Sequence, residues 1–202
     1  GANNVAISDV NTLTLGASAL GSGTLTVTAG GSITQTGSLT QAAGAGAASF
    51  SAGANPILLN NTANDFTGAV TLTNSGGANN VSIRDANGLT LAPLTVGGTL
   101  IVTAGAPGTT LTGNITSGGA QSYTGGVTLG NNLTLDAGAG NAITLGVVTG
   151  AGKDLTTTGL TSITSTATNI GILKANQSLT TGGRSEEHTS ELQSRFGISY
   201  AV

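Results

Sequence analysis

Along most of the chain, short runs alternate aliphatic with hydroxyl side chains, as in Leu-Thr-Leu at 13–15, Leu-Thr-Val-Thr at 25–28 and Val-Thr-Leu at 70–72. A period of two places the aliphatic side chains on one face of a strand and threonine on the other. Strands are predicted at Val5 to Ile7, Thr12 to Leu15, Thr24 to Thr28, Ser32 to Thr36, Ile57 to Leu59, Val70 to Thr73, Val81 to Ile83 and Leu89 to Leu91. Others follow at Thr99 to Thr103, Thr112 to Ile115, Val127 to Leu129, Leu133 to Leu135, Ile143 to Leu145, Leu155 to Thr157 and Ile170 to Leu173. Gly, Asn, Asp and Ser fill the gaps, and these are turn formers. Helix is excluded almost everywhere, since glycine recurs too often and no apolar stripe of helical period survives.

Strands this short, with one dry face, are not stable as open hairpins. Stacked coil upon coil, they satisfy one another's backbone groups and bury the dry face. The expected fold is therefore all-β, a parallel β-helix solenoid. With about 20 to 25 residues per coil, residues 1–183 form about eight coils and a rod of about 40 Å. Both ends read as cut coils without polar caps, a fragment expected to fray or aggregate through its open ends.

Internal repetition supports this reading. Residues 1–15, GANNVAISDVNTLTL, return at 77–91 as GANNVSIRDANGLTL, an offset of 76. GTLTVTAG at 23–30 returns as GTLIVTAG at 98–105, an offset of 75. The one-residue slip falls in a connecting turn. The domain reading is one β-helix region, 1–183, with long repeats at 1–76 and 77–152 and a partial copy after them. Asparagine pairs recur at turns (Asn3 and Asn4, Asn60 and Asn61, Asn79 and Asn80, Asn131 and Asn132), where stacking in register is expected to build side-chain ladders.

Composition sharpens the picture. Only 6% of residues are charged and 2% aromatic, while 34 are glycine, so any core must be a thin, regular layer of small and aliphatic side chains. The hydrophobic content of 38% and the alternating β-branched runs argue against a disordered linker. Cysteine is absent, which excludes disulfides and thiolate metal sites. No run of apolar residues is long enough to span a membrane as a helix.

The last nineteen residues are different text. Residues 184–194 read RSEEHTSELQS, the in-frame translation of a widely used short-read sequencing adapter, and the closing ISYAV at 198–202 matches its continuation. Residues 184–202 are accordingly read as a non-native tail. The competing reading, an acid and histidine cluster of Glu186, Glu187, His188 and Glu191 at metal-ligand spacing, is set aside on that ground.

The strings NDFTGAVTLTNSGGANNVSIRDANGLTL (64–91), GGSITQTG (30–37) and QSYTGGVTLGNNLTL (121–135) resemble repeats of filamentous-haemagglutinin-type exoproteins and autotransporter passengers, over nearly all of residues 1–183. The resemblance implies a right-handed parallel β-helix, exported unfolded through an outer-membrane β-barrel transporter and folding outside the cell. It implies a secreted or bacterial cell-surface location and the role of stalk or passenger in a large adhesin or biofilm exoprotein. Host or matrix glycans or proteins, or neighbouring copies, would be the partners. No catalytic, cofactor-binding or metal-binding residue is carried over, because such repeats have none.

Other chemistries fare less well. A carbohydrate-active β-helix enzyme needs carboxylates converging in a groove. Here Asp9, Asp65, Asp85, Asp136 and Asp154 are far apart in sequence, and Asp9 and Asp85 hold equivalent repeat positions that suggest a turn role. The nearest approach to a calcium-binding repeat is Gly150 to Asp154, GAGKD, with a lysine in it and no second copy. Upstream of the tail three basic residues (Arg84, Lys153, Lys174) face these five aspartates, a balance that disfavours nucleic acid. Sequons at Asn114, Asn132 and Asn176 follow from asparagine and threonine abundance. Threonine triplets at 12–14, 24–26, 26–28 and 71–73 raise ice binding as a third possibility, disfavoured by their irregular spacing.

Overall fold

In the computed structural model, which describes residues 3–182, the chain is a β-solenoid of stacked parallel strands, with no helix among the described residues. Strands β1 (Val5–Asp9), β2 (Leu13–Leu15) and β3 (Ser18–Leu20) form the first coil. The second consists of β4 (Leu25–Ala29), β5 (Ile33–Gln35) and β6 (Leu39–Gln41). The third has β7 (Ala48–Ser51), β8 (Ile57–Leu59) and, on its third side, a single bridge from Asp65 to Thr40. Next come β9 (Val70–Asn74), β10 (Val81–Asp85), β11 (Leu89–Leu91), β12 (Leu94–Val96), β13 (Leu100–Ala104), β14 (Thr109–Leu111), β15 (Ile115–Ser117) and β16 (Gln121–Thr124). The rod continues through β17 (Val127–Leu129), β18 (Leu133–Asp136), β19 (Ala142–Leu145), β20 (Val148–Thr149) and β21 (Leu155–Thr158). It ends with β22 (Leu160–Ile163), β23 (Ala167–Thr168), β24 (Leu173–Ala175) and β25 (Leu179–Thr181).

One side of the rod is a single sheet of nine strands, β2-β5-β8-β10-β13-β16-β19-β22-β25, so the solenoid has nine rungs rather than about eight. Partner residues lie from 18 apart, as Thr109 and Val127, to 25 apart, as Thr40 and Asp65, so coils vary in length while the register is kept. Two predicted strands are corrected. Thr112 to Ile115 is a corner between β14 and β15 that enters β15 only at Ile115, and Ile170 to Leu173 is a turn that enters β24 only at Leu173.

The two sequence copies do not stack on each other in register. The first contributes nine strands and the Asp65 bridge, which is three three-sided coils and one side more. The second copy is therefore turned by about one side. β1 lies in the 14-stranded sheet beneath β4, whereas its repeat equivalent β10 lies in the nine-stranded sheet between β8 and β13. At this switch β9 carries two strands above it: Val70 pairs with Leu91 of β11, and Thr73 and Asn74 pair with Thr95 and Val96 of β12. Pro93 sits between these two strands and has no N–H to offer a ladder, which suits it to the break.

The core is one continuous cluster of inward aliphatic side chains, including Ile33, Ile57, Val81 and Leu100, which stack rung upon rung and are fully buried. Two buried phenylalanines thicken it below the switch: the rings of Phe50 and Phe66 meet edge to face, 5.9 Å apart at 81°. At corners the coils approach so closely that side chains are excluded. A Cβ at Gly118 would strike the carbonyl oxygen of Gly97, and one at Gly97 that of Gly77.

Candidate functional site

The aspartates are the candidates for chemistry, and the backbone claims the carboxylates of Asp9, Asp85, Asp136 and Asp154. Asp9, Asp85 and Asp136 each accept the N–H of the residue two positions on, from Asn11 (2.7 Å), Asn87 (2.8 Å) and Gly138 (2.9 Å). This is the turn role expected of Asp9 and Asp85. The Asp154 carboxylate accepts the N–H of Ile172 at 2.8 Å on the following coil, and the GAGKD stretch ending in it is a turn with Ala151 at φ 51° and Gly152 at φ 76°. The structure also brings Asp65 near Asp85, a proximity that sequence spacing hid. Burial, and the neighbouring charge of Asp65 to a lesser extent, raise the Asp85 pKa above the usual carboxylate value, against two backbone hydrogen bonds that lower it. Its second oxygen accepts Phe66 N–H at 2.7 Å, so both oxygens are engaged in holding the switch together.

Asparagines do not form the expected ladders of like side chains. Instead an amide oxygen at a corner accepts a backbone N–H from the next coil: Asn4 from Thr24, Asn80 from Thr99, Asn114 from Thr134 and Asn132 from Asp154, at 2.8 to 3.1 Å. An N–H at or next to a corner that meets no strand carbonyl needs an acceptor, and the short asparagine side chain reaches it. At the switch the amides turn inward. Fully buried Asn64 forms a reciprocal pair with Gln35 (2.8 and 2.9 Å), accepts Leu39 N–H, and donates to the carbonyls of Leu59 and Arg84. Farther up, buried Gln121 donates to Asp136 O at 2.9 Å and accepts the Tyr123 hydroxyl at 3.0 Å. Burial pushes the Tyr123 pKa far up, so the phenol stays neutral.

Outward positions carry most of the remaining surface chemistry. On the 14-stranded sheet, register joins Ser8, Thr28, Ser51 and Thr73 in one column. It continues through Thr95, Thr116, Asp136 and Thr158. A second column, Ala6, Thr26, Ser49 and Thr71, flanks it on the first four rungs. A third, Thr90, Thr110, Thr128, Thr149 and Thr168, is threonine on five successive rungs. Of the threonine triplets in the sequence, Thr26–Thr28 and Thr71–Thr73 fall on the same two columns, two rungs apart with Ser49 and Ser51 between them, whereas Thr14 lies on the nine-stranded sheet and Thr12 and Thr24 lie outside the strands. On the nine-stranded sheet the corresponding row is interrupted by exposed Leu58 and Ile101, which flank Ser82, a buried residue whose hydroxyl has no hydrogen-bond partner.

Two shallow open grooves occur among the described residues, one lined by Thr34, Gln35, Leu58, Asn60 and Asn61, the other by Thr73, Pro93, Leu94, Thr95, Asn114 and Thr116. No group of three or more His, Asp or Glu side chains able to hold a metal ion occurs among the described residues. No helix there is long and apolar enough to cross a membrane. Glu186, Glu187, His188 and Glu191, with the rest of the adapter-like tail, lie outside the described residues.

Neither a curated protein nor a solved structure matches the chain. A repeat family does, over residues 2–73 and again over residues 78–147, so that each match spans one copy of the long repeat. The chain therefore belongs to the family described as repeats of unknown function, DUF5649.

Proposed function

We propose that this chain is a structural stalk, a passenger segment of a large secreted bacterial adhesin or biofilm exoprotein, without catalysis. The observation that carries the proposal is where the polar side chains go. The aspartate and asparagine groups with hydrogen bonds are spent on capping corners and on holding one coil to the next, as a load-transmitting rod requires. A stack of parallel coils also suits export as an unfolded chain, since each added coil templates on the last and needs no disulfide or metal. The resemblance of residues 64–91 and 121–135 to haemagglutinin-type repeats points the same way. Partners in this reading are host or matrix glycans or proteins, or neighbouring copies, and an outer-membrane β-barrel transporter during export.

The test is location. Antibodies raised against residues 3–182 should label intact, unpermeabilised cells of the source bacterium, or its culture medium. Labelling that needs permeabilised cells would sink the proposal.

A further inference from the structure

We propose that the outer face of the first four strands of the 14-stranded sheet, β1, β4, β7 and β9, is a water-templating surface that binds ice. On these rungs two outward columns run side by side, with complete Thr-x-Thr pairs at Thr26 and Thr28 and at Thr71 and Thr73. Successive rungs of a parallel sheet stand about 4.8 Å apart, and alternate residues along a strand about 6.7 Å apart. Those two spacings lie close to repeat distances on a prism face of ice, so waters held on the array can join the crystal without rearranging.

The chemistry of the face fits this occupant. Threonine is β-branched, so χ1 is stiff and the hydroxyl and methyl keep fixed positions. The eight positions of the two columns on these rungs carry no charge, seven of them being threonine or serine and the eighth Ala6. On the nine-stranded sheet the Thr14 and Thr34 hydroxyls bond to each other at 3.0 Å, whereas Thr26, Thr28, Thr71 and Thr73 are free of such bonds among the described residues and can meet water. Each ordered water costs little to immobilise, so a register repeated over several rungs accumulates affinity that a single hydroxyl lacks. No exposed aromatic platform of the kind that stacks on sugar rings is present among the described residues, where Phe50, Phe66 and Tyr123 are all buried.

The experiment is thermal hysteresis and ice-recrystallisation inhibition with the full chain, alongside Thr28→Lys, Thr73→Lys, Thr34→Lys and the double variant Ser49→Thr with Ser51→Thr. Far-ultraviolet circular dichroism checks the fold of each. The expected result is activity in the parent chain, lost in Thr28→Lys and Thr73→Lys, kept in Thr34→Lys on the other sheet, and raised in the serine-to-threonine double variant. A folded parent chain with no effect on ice would overturn the proposal, as would equal loss in Thr34→Lys or full activity in folded Thr28→Lys. Should the lysine variants fail to fold, the double variant decides: a rise supports the assignment and no change overturns it. None of these outcomes bears on the stalk reading, which stands or falls on location.

Discussion

β1 and β10 are near-identical text, VAISD and VSIRD, in two different settings. Among the described residues β1 is paired on one side, by β4, and its inward residues Val5 and Ile7 are half-buried. β10 lies between β8 and β13, and its Val81 and Ile83 are buried. Both motifs fold the same Asp turn, onto Asn11 in one copy and Asn87 in the other. Only Asp85 goes on to reach a neighbouring coil at Phe66 and to lose its solvent. Local geometry thus follows the local sequence. Burial, ionisation and structural weight follow the position in the stack: β10 has a coil on each side, whereas among the described residues β1 has one on a single side.

That contrast can be broken, most severely at the switch itself. Asn64→Ala strands Leu39 N–H and the Leu59 and Arg84 carbonyls in the core, and should lower unfolding free energy by about 3–4 kcal/mol in urea titrations. Asp85→Ala removes two backbone acceptors from a buried corner and should cost about 2–3 kcal/mol, against about 1 kcal/mol or less for Asp9→Ala. Equal losses at the two aspartates would mean that the turn alone matters.

Acidity sharpens the same comparison. The folded state raises the Asp85 pKa above the unfolded 3.8, so the folded chain binds this proton more tightly. The contribution of Asp85 is therefore greatest below the unfolded pKa and falls as pH rises through the folded one. Measured against Asp85→Asn, the parent chain should gain relative stability on acidification through that window; a difference flat with pH would show the carboxylate to be well solvated. The smallest expected effect is in hydrogen exchange, where amides of β1 in the 202-residue chain should exchange faster than the matching amides of β10. Matching protection would mean that a strand paired on one side is held as firmly as one paired on both.

Much of the solenoid was legible in the sequence. The aliphatic-threonine alternation predicted strands such as Leu89 to Leu91 and Val127 to Leu129 at their observed bounds. Strands with weaker alternation, such as Ala48–Ser51 and Gln121–Thr124, are not marked by the pattern, because alanine or glutamine takes an inward position that it reserves for aliphatics. Buried Gln121 is tolerated there because its amide donates to the carbonyls of Ile115 and Asp136 on other strands and accepts the hydroxyl of Tyr123 on its own. The threonine columns were hidden for a related reason. Partners such as Thr28, Ser51 and Thr73 are 23 and 22 residues apart, and no fixed period in the text picks them out.

The amino-acid sequence alone determined that the chain is β, that one strand face is dry and the other carries hydroxyls, and that Asp and Asn punctuate the turns. Those properties are written in period-two alternation and in single-residue stereochemistry, which need no distant partner. The stack decided which rung lies above which, that the second copy is turned by one side, that Asp85 is buried while Asp9 is not, and which threonines align. Corners can absorb or release several residues without disturbing the ladder, so rung register is set by hydrogen bonding and core packing between coils and cannot be counted along the chain.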